Sequence, residues 1–189
     1  MKKIQLLLPI CLAMLMLSCK NEKKEDTIDN ETQEEVVTQK KELTIVLEPR
    51  SNSNARGKIT FVEENGMVHM TAKFEGLTAE THAIHLHEKA DCSAADGTST
   101  GGHWNPTFER HGKWGDAEGY HKGDIGNFNA NASGNGELDF KTDEWCIGCG
   151  DDTKDILGKS VIVHAGVDDF VTQPTGDAGG RISCGGIIQ

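Results

Sequence analysis

Eight histidines and six cysteines stand out in this 189-residue chain, because these side chains bind metals and form disulfides. Their spacing sharpens the point. His85-Leu86-His87 sets two imidazoles two residues apart, so on a β-strand both lie on one face. His103, His111 and His121 follow along a glycine-rich stretch. Asp124 comes three residues after His121, and His164 ends the apolar run Ser160-Val-Ile-Val-His164. A lone pair of histidines at i and i+2 is a weak signal, since alternating polar faces produce it by chance. Six histidines and an aspartate gathered on one long stretch and its flanking runs are hard to explain as scattered surface residues. Neutral imidazole is the commonest metal-ligand group and suits copper and zinc alike. His69 and His82 fall outside this set and read as ordinary polar-face residues.

Ligands need a frame, and the surrounding chain has period two. Leu43–Glu48, Gly57–Glu63, Met67–Phe74, His82–Glu88, Asp124–Asn129, Glu137–Lys141, Lys159–His164 and Arg181–Ile187 read as strands. Alternation is plainest where Val68, Met70, Ala72 and Phe74 interleave with His69, Thr71 and Lys73. The preceding Glu64-Asn65-Gly66 is a hairpin turn. No segment carries a sustained 3.6-residue period with caps. The 22 glycines and 5% aromatic content suit a turn-rich β fold. The pattern predicts an all-β domain, an eight-stranded antiparallel sandwich or barrel. Two long connections, 89–123 and 165–180, are expected to be functional loops.

Residues 1–18 read as a signal peptide. Met1-Lys2-Lys3 is basic, and Ile4 to Leu17 is apolar but too short for a membrane span. Ser18-Cys19 resembles the end of a bacterial lipoprotein signal, in which Cys19 is lipidated and becomes the first residue; Met16 stands where leucine is commonest. The alternative is an ordinary signal peptide cut nearby. Residues 19–42 then form the lipidated cysteine and a charged flexible tether, with too few apolar side chains to offset its ordering entropy. The remaining domain is 43–189. Export permits disulfides and predicts a cell-envelope lipoprotein, periplasmic or attached to the outer membrane. The formal charge is -11, and loss of Lys2 and Lys3 makes it -13. That balance argues against nucleic acid or an anionic membrane surface as a partner, since both require clustered Lys and Arg. Membrane contact is expected only through the lipid on Cys19.

Several runs carry a resemblance. His85-Leu-His87-Glu88, Gly101-Gly102-His103-Trp104-Asn105-Pro106, His111-Gly112, His121-Lys122-Gly123-Asp124-Ile125-Gly126-Asn127 and Val163-His164-Ala165-Gly166-Val167-Asp168-Asp169 are similar to the copper/zinc superoxide dismutases. So is Gly176-Asp177-Ala178-Gly179-Gly180-Arg181-Ile182-Ser183-Cys184-Gly185. The resemblance covers roughly 43–189 and implies a Greek-key β-sandwich or barrel. It implies copper held by His85, His87, His103 and His164, and zinc held by His103, His111, His121 and Asp124, with His103 bridging both ions. Asp168 matches a carboxylate that accepts hydrogen bonds from one ligand of each metal. Arg181 matches an arginine beside the open copper position, where a guanidinium can hold a small anion. The implied activity is dismutation of superoxide to O2 and hydrogen peroxide, protecting the cell envelope from oxidative damage. A non-catalytic copper- and zinc-binding lipoprotein on the same fold is the alternative. Oligomeric state stays open between monomer and homodimer.

The resemblance also pairs Cys92 with Cys184. Cys146-Ile-Gly-Cys149 departs from the family pattern, in an insertion from Asp143 to Asp155. A local disulfide is the favoured reading, ahead of a redox-active pair and a third metal site. The loop 165–180 contains Asp168, Asp169 and Asp177 and no lysine, so attraction of superoxide would rest on residues such as Lys113 and Lys122.

Overall fold

The computed structural model describes residues 39–189; the expected signal peptide, Cys19 and the expected tether up to residue 38 lie outside the described residues. Eight strands form: β1 (Lys41–Pro49), β2 (Arg56–Glu64), β3 (Met67–Glu75), β4 (Thr81–His87), β5 (Gly126–Asn129), β6 (Gly136–Thr142), β7 (Ser160–His164) and β8 (Arg181–Gly186). They pair antiparallel in the order β5-β4-β7-β8-β1-β2-β3-β6. A bridge between Ala130 and Gly136 brings the two edge strands together and nearly closes a barrel. Strands β4, β5 and β6 follow one another while β3 lies beside β6, which is the Greek-key arrangement. Among the described residues the only helical piece is a 3-10 turn at Thr98–Thr100.

The expected strands all form, with ends shifted by a residue or two. β1 begins at Lys41 because Lys41 and Glu42 still pair with Glu63 and Val62. β5 begins at Gly126 because the Asp124 amide is bonded into a turn with the His121 carbonyl at 3.0 Å. The alternation of β3 buries Val68, Met70, Ala72 and Phe74 against Leu47, Ile59, Phe61, Ile84, Leu86, Val161, Val163 and Ile187. Burial stabilises by about 1.5–3 kcal/mol for each large apolar side chain.

β4 is buried on both faces. Ile84 and Leu86 join the barrel core, while His85 and His87 are covered by the loop 88–125. That loop is fastened to the strand between them. Trp104 N–H donates to the Leu86 carbonyl (2.8 Å), and Leu86 N–H donates to Gly123 (2.9 Å). Gly123 is required there, because a Cβ would collide with the Leu86 carbonyl oxygen.

Two expectations need correction. His82 is not a polar-face residue: it lies on the core side of β4 with Ile84 and Leu86 and is 1% exposed. Its Nδ1 donates to the His164 carbonyl at 2.9 Å and its ring packs on Phe128, so the polar atoms are satisfied at the barrel end. The period-two pattern places it inward, and only its polarity argued otherwise. In addition, the connections include a third long one, 143–159, which the insertion creates between β6 and β7. His69 is half-exposed and pairs with Asp139 across β3 and β6, as a polar-face residue does.

Candidate metal centre

Three elements bring four histidines together. β4 supplies His85 and His87, β7 supplies His164, and the long loop supplies His103. β7 lies beside β4, and a register shift between Val163 and His164 bends the strand end where His164 sits. A backbone bridge pairs His87 with His103. All four side chains are buried, and each offers a ligand atom within 4.8 Å of the others.

His103 belongs equally to a second group with His111, His121 and Asp124, also buried and within the same spacing. Asp124 Oδ1 lies 2.9 Å from His103 Nδ1 and 3.3 Å from His121 Nδ1, and Oδ2 lies 3.0 Å from His111 Nδ1. The backbone amides of Gly112 and His121 also donate to Asp124 Oδ2. Burial disfavours the Asp124 carboxylate, but the imidazoles of His103, His111 and His121 outweigh it and hold its pKa far below the usual range.

Asp168 is 1% exposed and ties the two groups together. It takes His85 Nε2 at 2.8 Å and His111 Nε2 at 2.9 Å. Its backbone is locked by a reciprocal pair with the Asn127 side chain, 2.8 and 2.9 Å. Neighbouring Asp169 is exposed and instead caps the turn at Val171 and Thr172. Gly176, at φ +66°, covers this bridge where a Cβ would strike Asp168 Oδ1 and His111 Nε2.

These contacts decide which nitrogens are free. An ionised carboxylate only accepts, so Nε2 of His85 and of His111 carry hydrogens and leave Nδ1 for a metal. His87 Nδ1 donates to the Gly101 carbonyl (3.0 Å) and His164 Nδ1 to Gly179 (3.2 Å), leaving Nε2 of each. Those two Nε2 atoms lie 3.4 Å apart. Among the described residues, four of the five buried side-chain polar atoms without a hydrogen-bond partner are His85 Nδ1, His103 Nε2, His111 Nδ1 and His121 Nδ1. Unpartnered buried nitrogens are costly unless an ion takes them, so the donor set fits metal ions. Four imidazoles suit copper, and three imidazoles with a carboxylate suit zinc.

The protonation pattern agrees for His87, His103 and His164, which are held neutral. Burial, then the nearby histidines and Arg181, holds His87 and His164 well below the ordinary imidazole pKa. Burial likewise brings His103 down to about 4, against the pull of Asp124. His111 differs: burial opposes its charge, but the carboxylates of Asp124 and Asp168 win and push it up to about 9.

Arg181 begins β8, half-buried. Its Nη1 donates to the Gly97 carbonyl and to Thr100 Oγ1, both at 2.8 Å. Its charge is close enough to His87 and His164 to lower both. The Cys92–Cys184 disulfide joins the same loop to β8, and Arg50 holds the Cys92 carbonyl through Nε and Nη2 (3.0 and 2.6 Å). Cys146 and Cys149 form the local disulfide, which occupies both sulfurs of the third cluster, Cys146, Cys149 and Asp155. Lys113 is exposed, whereas Lys122 is tied to Glu144.

Sequence reasoning missed Asn127, Thr100, Gly176 and Gln173. Gln173 exchanges hydrogen bonds with the His111 backbone, both at 2.9 Å, and so clips the loop 165–180 to the second histidine group. Nothing in residue type or spacing singles out these positions: the Asn127 and Gln173 side chains hold the main chain of Asp168 and His111, Thr100 Oγ1 holds the Arg181 guanidinium, and Gly176 acts by lacking a Cβ.

Fold and site together define a Greek-key barrel carrying two buried, histidine-sharing clusters suited to metal ions. The sequence pattern of copper/zinc superoxide dismutase matches residues 55–187, and the chain belongs to that family. Similar proteins include superoxide dismutase [Cu-Zn] 2 of Mesembryanthemum crystallinum, 34% identical over 71% of this chain and 87% of that protein. Another is extracellular superoxide dismutase [Cu-Zn] of Drosophila melanogaster, 36% identical over 71% of this chain and 76% of the relative. A SOD-like protein from Bacillus subtilis has a crystal structure matching with TM-score 0.68 at 27% identity, covering 77% of this chain and 97% of that one.

Proposed function

We propose that the protein dismutates superoxide, with copper held by His85 Nδ1 and by Nε2 of His87, His103 and His164. Zinc would be held by His111, His121 and Asp124 together with His103, whose Nδ1 would give up its present hydrogen bond to Asp124. The carrying observation is a pair of buried ligand groups that share His103 and contain four nitrogens without a hydrogen-bond partner. When bound, copper supplies a one-electron couple, while zinc has no redox chemistry and serves structure. One superoxide is oxidised to O2; a second is reduced and takes two protons to become hydrogen peroxide.

The chain's own residues do the rest. Arg181, fixed by Gly97 and Thr100, holds and orients the anion through its remaining guanidinium hydrogens. His103 Nε2, buried and without a hydrogen-bond partner, would take up a proton only when it is not bonded to copper. Asp168 keeps His85 and His111 in one tautomer, so their Nδ1 lone pairs stay available.

The same reading takes residues 1–18 as a lipoprotein signal, Cys19 as the lipidated residue, the stretch from there to residue 40 as tether and 41–189, which includes the whole of β1, as the catalytic domain of a cell-envelope enzyme. One relative is named as extracellular, in keeping with export. The test is decay of superoxide by metal-loaded protein, with His164→Ala as control. Wild type should be active, and the variant should lose copper and activity while keeping zinc. Inactive protein with both metals bound would leave a metal-binding lipoprotein instead.

A further inference from the structure

The insertion 143–155 has no part in either ligand set, yet it grips the segment that carries two of the ligands. Trp145 is 1% exposed, and its Nε1 donates to the Lys122 carbonyl at 2.8 Å. The Glu144 carboxylate accepts the Tyr120 hydroxyl at 2.6 Å and pairs with the Lys122 ammonium. The residues on both sides of His121 are thus held from outside. Trp145 also packs at a tilt on Phe140 and meets Trp114 edge-on, and Trp114 packs against Tyr120. The aromatic group therefore spans the chain between His111 and His121.

The grip begins one residue before Cys146. Cys146 N–H donates to the Lys154 carbonyl, and Ile156 N–H donates to the Cys146 carbonyl. Asp155 takes the amides of Gly148, Gly150 and Leu157 at 2.9–3.0 Å. The disulfide closes this small turn, in which Gly148 and Gly150 both have positive φ and would hold little order by themselves. Cys146 is buried, but Cys149 is exposed. Cys184, in the other bridge, is buried.

We infer that the Cys146–Cys149 bond is a thiol–disulfide exchange site whose state sets how firmly Glu144 and Trp145 hold the His121–Asp124 segment, and so how firmly zinc is retained. This rests on the reading that His103, His111, His121 and Asp124 bind zinc. The reactant is a dithiol, small or protein-borne. One of its thiolates attacks the exposed Cys149 sulfur and displaces the Cys146 thiolate, which takes up a proton. Its second thiol then attacks the mixed disulfide and releases Cys149. The dithiol ends as a disulfide, and the protein pair has gained two electrons and two protons.

Two measurements on the full chain test this. The first is zinc release to a chromophoric chelator, before and after dithiothreitol, with thiol alkylation and mass analysis reporting which bridge opened. Reduction of Cys146–Cys149 should speed release about ten-fold, the low end for partners that orient metal ligands. A Cys146→Ser/Cys149→Ser variant should release zinc equally fast without reductant, and Trp145→Phe should shift release the same way in either redox state. If dithiothreitol also opens Cys92–Cys184, the serine variant without reductant decides. The second is hydrogen exchange of residues 119–125 in metal-free wild type and serine variant, which should be faster in the variant. Unchanged exchange and unchanged zinc release would overturn the inference. Protein that takes up no zinc would sink the zinc assignment, and exchange alone would then decide the clamp.

Discussion

At the scale of the residue, Asp168 does what a ligand cannot do for itself. It accepts from one imidazole of each cluster, so a single carboxylate sets two tautomers and two ring orientations. Burial works against its charge, but His111 and His85 hold its pKa far below the usual carboxylate range. Asp168→Asn presents an amide that cannot accept from both rings on equal terms. We expect affinity for both metals to fall by about 10–100-fold in a chelator competition, with the far-ultraviolet dichroism unchanged. The residues that meet in the two clusters were legible in the sequence, because histidine is uncommon and the i, i+2 pair declares a shared strand face. His82 shows the limit of that reasoning. Its type suggested a polar surface, while its place in the alternation put it inside, and the alternation decided.

At the scale of the element, the strands were legible because alternating burial writes itself into composition, as in Val68, Met70, Ala72 and Phe74. Their order was not, since period two says nothing about which strand neighbours which; the Greek key came only with the family resemblance. The insertion after β6 was visible as a departure, but its attachment was not. Tyr120, Lys122, Glu144 and Trp145 meet across the fold, and nothing in their spacing announces it. This attachment carries a pH signature. Partial burial opposes the charge of Glu144, but Lys122 and then Tyr120 outweigh it and bring its pKa below the ordinary 4.5. Tyr120 is pushed up to about 12 by burial and by Glu144, so its hydroxyl remains a donor throughout the neutral range. A depressed carboxylate stabilises the fold above its unfolded pKa and loses that contribution as pH falls through the folded value. Glu144→Gln should therefore lower the urea midpoint at pH 7. The gap to wild type should close in acid, below the ordinary glutamate pKa. A gap independent of pH would mean that packing, not charge, holds the clamp.

At the scale of the whole molecule, charge is the outlier. On the proposed function a chain of formal charge -11 would have to collect an anion, the exposed Asp169 and Asp177 sit in the loop 165–180, and Lys122 is neutralised by Glu144. Where positive residues steer a substrate, added salt slows capture; here screening should remove repulsion instead. We expect kcat/KM for superoxide to rise, or stay level, as sodium chloride goes from low to physiological strength; a steep fall would mean that Arg181 and the metal ions dominate the field at long range. The composition made this legible from the start, whereas the pairing of Lys122 needed the fold. The two disulfides have a further consequence, in time. Four cysteines would remain once Cys11 leaves with the proposed signal peptide and Cys19 is lipidated, and four thiols can pair in three ways. The native bridges span 3 and 92 residues. A chain crossing a membrane from its N-terminus presents Cys92 first, then Cys146 and Cys149 almost together, and Cys184 last. Closure favours the shortest loop, so the neighbouring pair finds itself before Cys92 can capture either member at long range. Once that pair is closed, Cys92 has one correct partner left to wait for, and in a chain exported as proposed the inserted bridge would act as a proofreader of the other.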